Sequence, residues 1–332
     1  MFRRLSIFCC LLLLFAADAS AQWEMLQKVD SFLVRMQRSN VDTNYIVRPK
    51  GRLTVRLLSN FSGAHVDLID RERGEESVSA NLRSDMKWTL TSSINYRGLS
   101  VALSVNPGHV FDWYHDMEFN INAYGNKMGA DFIYQHAENV GGEMGDSDLT
   151  LQIPENMISM RTVNANYYYV FNHRRFSYPA AFTQSFIQKR SAGSVIVGAS
   201  YEKMVMKLGK DFDFLTDGDT NLMNTDLLGI GVGYGYNIVP NPKWLIHLSG
   251  LPTVVVWRNM HMEDDGYTAR GSHPFSLPNM LVTARLSIIH YHENRFYGIT
   301  GVLNHSHLGQ SGADMTDHLK WRIRLLFGIR FW

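Results

Sequence analysis

From Trp321 to Phe331 every second residue is large and apolar (Trp321, Ile323, Leu325, Phe327, Ile329, Phe331), and the residues between them are Arg322, Arg324, Leu326, Gly328 and Arg330. A period of two puts the two sets on opposite faces of a strand. The alternation recurs along the chain: Trp88, Leu90, Ile94 and Tyr96 oppose Thr89, Thr91, Ser93 and Asn95, and Leu99, Val101, Leu103 and Val105 oppose Ser100, Ala102 and Ser104. Phe119 and Ile121 face away from Glu118, Asn120 and Asn122, and Leu228, Ile230, Val232, Tyr234 and Tyr236 alternate with Gly229, Gly231, Gly233 and Gly235. Further segments at 53–60, 130–135, 162–171, 194–202, 244–251, 280–291 and 296–304 complete the pattern. The polar face is small and uncharged as often as it is charged. An all-β chain of antiparallel strands about ten residues long is expected.

The medium around those strands follows from the rest of the chain. Arg3 and Arg4, the apolar run Leu5–Ala17 and Ala19-Ser20-Ala21 form the three parts of a secretory signal peptide, with cleavage before Gln22. That run is shorter than the roughly 17–25 apolar residues that cross a bilayer as a helix. Both cysteines, Cys9 and Cys10, fall inside it, so the expected mature chain has no disulfide, thiolate metal site or thiol nucleophile. A net charge of +1 lacks the basic excess of a nucleic-acid binder. No stretch after Ala21 is apolar enough for a membrane helix, so an exported chain that enters a membrane must close into a barrel. Outer-membrane barrels often finish on an aromatic strand read by the assembly machinery, as Phe331-Trp332 would. The expected location is the outer membrane of a Gram-negative bacterium, with outer-membrane lipid and the barrel-assembly machinery as partners.

Link lengths set the strand number. Tight links at Arg97-Gly98, Tyr124-Gly125-Asn126, Pro240-Asn241-Pro242 and His292-Glu293-Asn294 alternate with polar loops at 106–116, 137–160, 206–225, 258–278 and 305–318. Short periplasmic turns and long external loops alternate in this way. Twelve strands are predicted if 62–84 is an external loop, and fourteen if Val66–Ile69 opens an extra hairpin. The organisation is a signal peptide (1–21), an N-terminal periplasmic segment (22–50) with an amphipathic helix carrying Leu26, Val29, Phe32, Leu33 and Met36, and a barrel (51–332). One segment breaks the grammar. Residues 176–193 stand where a periplasmic turn belongs, yet Tyr178, Phe182, Phe186 and Ile187 are too apolar to hang in water. This segment is expected to fold inward as a plug, with Lys189 and Arg190 meeting Glu202 or lying at the mouth.

The chain resembles a family of signal-bearing Bacteroidetes proteins, predicted outer-membrane barrels catalogued as a domain of unknown function. The resemblance rests on Asp42-Thr43-Asn44-Tyr45-Ile46 with Arg48-Pro49-Lys50, on Tyr96-Arg97-Gly98-Leu99, on Tyr178-Pro179-Ala180-Ala181-Phe182 through Lys189-Arg190-Ser191-Ala192-Gly193-Ser194, and on Gly231-Val232-Gly233-Tyr234-Gly235-Tyr236-Asn237. It implies an envelope location and a barrel, and brings no reaction, ligand or catalytic residue.

Chemical constellations are sparse. His305-Ser306-His307 is the weak catalytic candidate, similar to the barrel-wall serine and histidine of lipid-A deacylases and outer-membrane phospholipases. Neighbouring residues on a strand point to opposite faces, so His305 and Ser306 pair only if a loop has begun there. Acidic loops at 261–265 and 213–226 lack the spacing of a calcium loop, and no metal or cofactor is expected. The glycine row Gly229, Gly231, Gly233 and Gly235 would make inward room. Arg56, Arg285, Arg322, Arg324 and Arg330 are predicted to face the lumen, with Glu118, Asp131 and Glu202 as counter-charges. A charge on the lipid side costs roughly 2–4 kcal/mol at mid-bilayer. Those residues suit either a salt-bridged interior or a cationic lumen passing or holding a small polar or anionic solute. A lipid-modifying hydrolase and a structural or adhesion barrel are the alternative functions.

Overall fold

The computed structural model describes residues 40–49, 51, 53–70, 78–84, 86–107, 116–145, 150–208, 221–261, 263–264, 267–268, 279–309 and 315–331, together with 24, 27, 28, 30, 31 and 34. The expected signal peptide, Trp332 and most of the N-terminal helix lie outside these residues. The described positions 24, 27, 28, 30, 31 and 34 are helical, and Lys28 pairs with Glu24 at 2.8 Å. They form a unit apart from residues 39–332.

In chain order the strands are β1 (Ile46–Val47), β2 (Leu53–Asp70), β3 (Val78–Ser84), β4 (Lys87–Tyr96), β5 (Leu99–Val105), β6 (Asp116–Tyr124), β7 (Met128–Gly145) and β8 (Thr150–Val170). The short helix α1 (Tyr178–Phe182) comes next, followed by β9 (Ile187–Gln188), β10 (Ala192–Leu208), β11 (Asn221–Ile238) and β12 (Trp244–His261). Two-residue strands β13 (Glu263–Asp264) and β14 (Tyr267–Thr268) precede β15 (Met280–His292), β16 (Arg295–Gly309) and β17 (Met315–Phe331).

The main sheet closes on itself, because β17 pairs antiparallel with β2 from Phe331↔Leu53 to Met315↔Ile69. Around the ring run β2, β4, β5, β6, β7, β8, β10, β11, β12, β15, β16 and β17, which makes twelve antiparallel lanes. The strand β3 adds no lane of its own. It stands beyond β4 in the same lane, pairs with the far half of β2, and reaches across the short β5–β6 hairpin to pair Ser84 with Val140 of β7. The segment 62–84, expected as a loop, is thus largely strand, and its hairpin lengthens the wall without raising the count to fourteen.

The loop at 137–160 is likewise mostly ladder, since β7 ends at Gly145 and β8 begins at Thr150. Eighteen residues at ~3.3 Å each, tilted about 45°, rise ~42 Å, more than a hydrocarbon core of ~30 Å. Polar residues therefore go on exchanging backbone hydrogen bonds past the apolar belt. At the opposite end the links are tight. Arg97 and Gly98 both have positive φ, 48° and 86°, as a two-residue hairpin turn requires.

Burial separates this barrel from a water-soluble sandwich. Along β4 the polar residues Thr89, Thr91, Ser93 and Asn95 are buried, and the apolar residues Leu90 and Ile94 are exposed. Leu57, Leu248 and Val232 are exposed to 61%, 62% and 58%. A protein core would have the reverse polarity, and a contiguous outer surface of this kind is unfavourable in water. The apolar belt outside and polar face inside are those of a transmembrane β-barrel.

Candidate functional site: the lumen and its inner segment

Between β8 and β10 the chain does not turn back directly. Residues 176–188 enter the barrel, with Phe176, Tyr178, Ala180, Ala181 and Phe186 buried and Phe182 half-buried. The helix α1 carries Pro179 in its first turn, where a missing amide proton costs nothing, and Ser177 caps it by accepting from the Ala180 amide at 3.3 Å. A buried helix of five residues leaves most of its carbonyls without partners of its own. The wall supplies them. Tyr291 Oη donates to Ala180 O at 3.1 Å, Ser287 Oγ to Ala181 O at 2.9 Å, Arg56 Nη1 to Phe182 O at 2.8 Å and Arg330 Nη2 to Gln184 O at 3.0 Å. Asn237 Nδ2 donates to Ser177 O at 2.8 Å and Asn126 Nδ2 to Phe176 O at 3.3 Å. These donors stand on β2, β11, β15, β17 and the β6–β7 turn, so the segment lies inside the ring.

A second network fixes the return limb. Gln188 Nε2 donates to the Arg175 and Arg190 carbonyls at 2.6 and 2.8 Å, while its Oε1 accepts from the Ser177 amide and from Asn237. Asn237 Oδ1 meets His247 Nδ1 at 2.7 Å, and His247 Nε2 meets Ser249 Oγ at 2.9 Å. Residues 42–48, placed by sequence in the separate N-terminal segment, join this body: β1 pairs with β9 and Ile46 is fully buried. Lys189 and Arg190 are exposed rather than facing Glu202. Lys189 Nζ donates to Thr43 O at 3.1 Å, and Arg190 stacks on Tyr45.

Tyr178 is packed among Tyr168, Phe182 and His247, with ring centroids 4.8, 4.9 and 5.5 Å away. Arg285 covers the Phe182 and Tyr178 rings at 5.5 and 5.8 Å. Burial raises the Tyr178 phenol above its ordinary value, with the Arg285 guanidinium opposing the shift. The glycine row faces inward but does not leave open space. A Cβ at Gly235 would stand 3.0 Å from Phe176 Cζ, and one at Gly231 would strike Thr253. The missing side chains admit an aromatic ring of the inner segment and a close neighbouring strand.

Above α1 the lumen keeps a cavity of about 260 Å³ with Phe182 and Thr183 on its lining. The predicted lumen residues Arg56, Glu118, Asp131, Glu202, Arg285, Arg322 and Arg324 line it, and Arg330 lies deeper against the inner segment. Lys87 and Lys320, which sequence reading did not single out, line it as well. Arg322 forms a two-pronged pair with Glu118 at 2.8 and 2.5 Å, and Lys320 Nζ lies 3.5 Å from Glu202. Glu118 stands four lanes from β17 by way of β2, and Glu202 five lanes by way of β16, so both pairs cross the lumen. Arg324 Nη2 is 3.7 Å from Glu118, beyond hydrogen-bond distance. Asp131 accepts from Tyr124 Oη at 2.8 Å and Asn166 Nδ2 at 2.6 Å. Six cations (Arg56, Lys87, Arg285, Lys320, Arg322, Arg324) therefore share the lining with three carboxylates (Glu118, Asp131, Glu202), an excess of three positive charges.

The loop-end triplet separates onto two faces. His305 and His307 share Asp317 Oδ1 on the outer side at 3.1 and 2.9 Å, whereas buried Ser306 donates to His318 O at 3.4 Å. No serine–histidine contact forms there among the described residues. Nor is there a group of three or more His, Asp or Glu placed to hold a metal among the described residues.

A family described as a domain of unknown function, DUF4421, matches residues 40–331. The chain belongs to that family. No curated protein matches it in sequence. Among solved structures, it is similar to the outer membrane protease OmpT from Escherichia coli, at 8% identity and TM-score 0.42 over 85% of this chain and 97% of that one. It is also similar to an outer membrane channel from Pseudomonas putida F1, at 11% identity and TM-score 0.35 over 86% and 99% of the two chains. The translocator domain of the autotransporter NalP from Neisseria meningitidis gives 12% identity and TM-score 0.35 over 96% and 99%. At these scores the likenesses bear on neither ligand nor activity, and the barrel rests on its own strand pairing.

Proposed function

We propose that this DUF4421 protein is an outer-membrane barrel that admits a small polar or anionic solute to a cationic lumen, closed toward its tight turns by the inner segment. The carrying observation is the excess of three cations over carboxylates on the lining of the cavity of about 260 Å³. A fixed field of that sign in a low-dielectric wall concentrates anions and repels cations. Cross-lumen pairs such as Arg322–Glu118 brace the wall without cancelling the excess. The inverted faces support membrane residence, with lipid against the apolar belt and the assembly machinery as the partner that inserts it.

Planar-bilayer recording tests the reading. Replacing residues 176–190 by a short Gly-Ser turn is expected to raise single-channel conductance above that of the parent, with a reversal potential in a KCl gradient that marks anion preference. A shortened barrel that stays folded yet conducts no better, or that prefers potassium, overturns it.

A further inference from the structure

The cavity wall is chemically two-sided. On β17 stand Arg322 and Arg324, which share one carboxylate, Glu118. Arg322 takes both of its oxygens, so Arg324 makes only the 3.7 Å approach, and its Nε is buried with no hydrogen-bond partner. Arg56 adds a second guanidinium whose hydrogen bonds go to neutral atoms: Phe182 O, Gln184 Oε1, Ser93 Oγ and Ser100 Oγ. Two guanidiniums are thus left short of a carboxylate of their own.

Next to this ladder, β4 to β6 line the cavity with short uncharged side chains. Thr91 Oγ1 and Ser104 Oγ share a hydrogen bond of 2.5 Å, and Asn120 presents a buried Oδ1 that accepts none. Across the lining, the Arg324 guanidinium has only the 3.7 Å approach to Glu118, and hydrogen-bonding capacity left over in this way is costly unless something in the cavity takes it up. A ligand with an anionic group to accept from the Arg324 guanidinium, and hydroxyls to exchange hydrogen bonds with the short polar side chains of Asn120, Thr91 and Ser104 on the same lining, would do so. Phe182, half-buried on the same lining, offers an apolar floor to the C–H face of a ring. The volume of about 260 Å³ is close to the ~300 Å³ lower end of small-molecule pockets, which suits one sugar ring rather than an oligosaccharide.

We infer that the lumen cavity is a binding site for an acidic monosaccharide, with the anionic group on Arg324 and hydroxyls on Asn120 and its Ser and Thr neighbours. This identification rests on the solute reading above and names its ligand class. Carboxylated and phosphorylated sugars share the required chemistry, since a guanidinium fork accepts either anion.

Calorimetric titration of the purified, detergent-solubilised full chain decides the matter without reference to conductance. The probes are glucuronate, glucose 6-phosphate, glucose and acetate. At least one of the two acidic sugars is expected to bind tenfold or more tightly than both glucose and acetate, and comparison of the two assigns the anion as carboxylate or phosphate. Arg324→Met should remove that preference while leaving the weak glucose affinity within about twofold. Asn120→Leu should weaken acidic sugar and glucose together, and heat-modifiable migration confirms that each variant is folded. Acidic sugars that bind no better than acetate overturn the hydroxyl half, and acidic sugars that bind no better than glucose overturn the anionic half. Absence of binding to all four probes overturns the ligand class even where the shortened barrel conducts as expected, which keeps this failure separate from failure of the channel reading.

Discussion

Replacing Asn237 by leucine should release the inner segment while sparing the barrel. The Asn237 side chain is fully buried and makes three contacts: Ser177 O at 2.8 Å, Gln188 Oε1 at 3.0 Å and His247 Nδ1 at 2.7 Å. Leucine of similar volume keeps the packing but removes all three. Gln188 Oε1 retains the Ser177 amide at 2.9 Å, so the groups left unpaired are Ser177 O and His247 Nδ1. At roughly 1–3 kcal/mol for each buried unsatisfied group, the docked state loses about 2–6 kcal/mol. Near 4 kcal/mol the undocked population rises on the order of a thousandfold. Hydrogen exchange reads this directly. The amides of Ser177, Gln184 and Lys189, bonded to Gln188 Oε1, Pro179 O and Tyr45 O, should exchange about two to four decades faster, while amides of the β15–β16 ladder keep their protection. Equal acceleration in both sets would mean that Asn237 holds the barrel itself, and no acceleration in either would mean that the latch contributes nothing.

Leu325 lies on the outer face six residues from Phe331, ~14 Å along the barrel axis at ~3.3 Å per residue and ~45° tilt, so Leu325→Arg places a charge near mid-bilayer. Refolded into lipid vesicles, the variant should lose about 2–4 kcal/mol in urea titration, whereas a solvated surface would change by less than ~0.5 kcal/mol. Deleting residues 331–332 removes the outward Phe331 that pairs with Leu53 at the closing seam, and should lower the heat-modifiable form recovered from membrane fractions. Unchanged recovery would deny the terminal aromatics an assembly role. Gly235→Leu drives a side chain toward Phe176, so conductance should rise above the parent's with the barrel still folded; parental conductance would show that the ring has another place to go.

Faces were legible from sequence, and partners were not. A period of two assigns Arg56, Glu118, Arg322 and Arg324 to the lumen, because it requires only strand parity and the cost of a charge in lipid. Which of them meet depends on the order and shear of twelve lanes: Arg322 and Glu118 are 204 residues apart in sequence, and no local pattern encodes their pairing. The length of β2 was missed for a related reason. Past Ser62 the outward face turns polar, with His65 and Asp67 replacing apolar residues, so the lipid signal stops although the ladder continues to Asp70. The inward course of 176–193 could be argued from apolar side chains in the wrong place, but its wall latch could not. Parity puts Asn237 and His247 on the inner face, and their carbonyl and side-chain partners depend on the path of a segment that has no periodicity. The capture of Ile46 by β9 is equally silent, since two residues make no pattern.

How the inner segment is held bears on how solute would reach the cavity. Apolar burial is non-directional, and a plug held by Phe176 and Phe186 alone could slide along the lumen. Wall donors to the carbonyls of Phe176, Ser177, Ala180, Ala181, Phe182 and Gln184 fix one position instead. Six such bonds at a net ~0.5–1.5 kcal/mol each oppose undocking by about 3–9 kcal/mol, before any apolar term. The spontaneously open fraction then lies between roughly one in a hundred and one in a million. The cavity stands on the far side of Phe182 and Thr183 from those latches, and of its cations Arg56 touches the segment by a hydrogen bond to Phe182 O and Arg285 by lying over the Phe182 and Tyr178 rings. A solute that enters from the loop end can therefore bind while the segment stays docked, and Arg56 is the residue through which such a ligand would sense the latch. An anion that draws Arg56 Nη1 from Phe182 O removes one of the six bonds, so occupancy should lower the opening cost by one bond's worth, about 1 kcal/mol, rather than open the barrel outright.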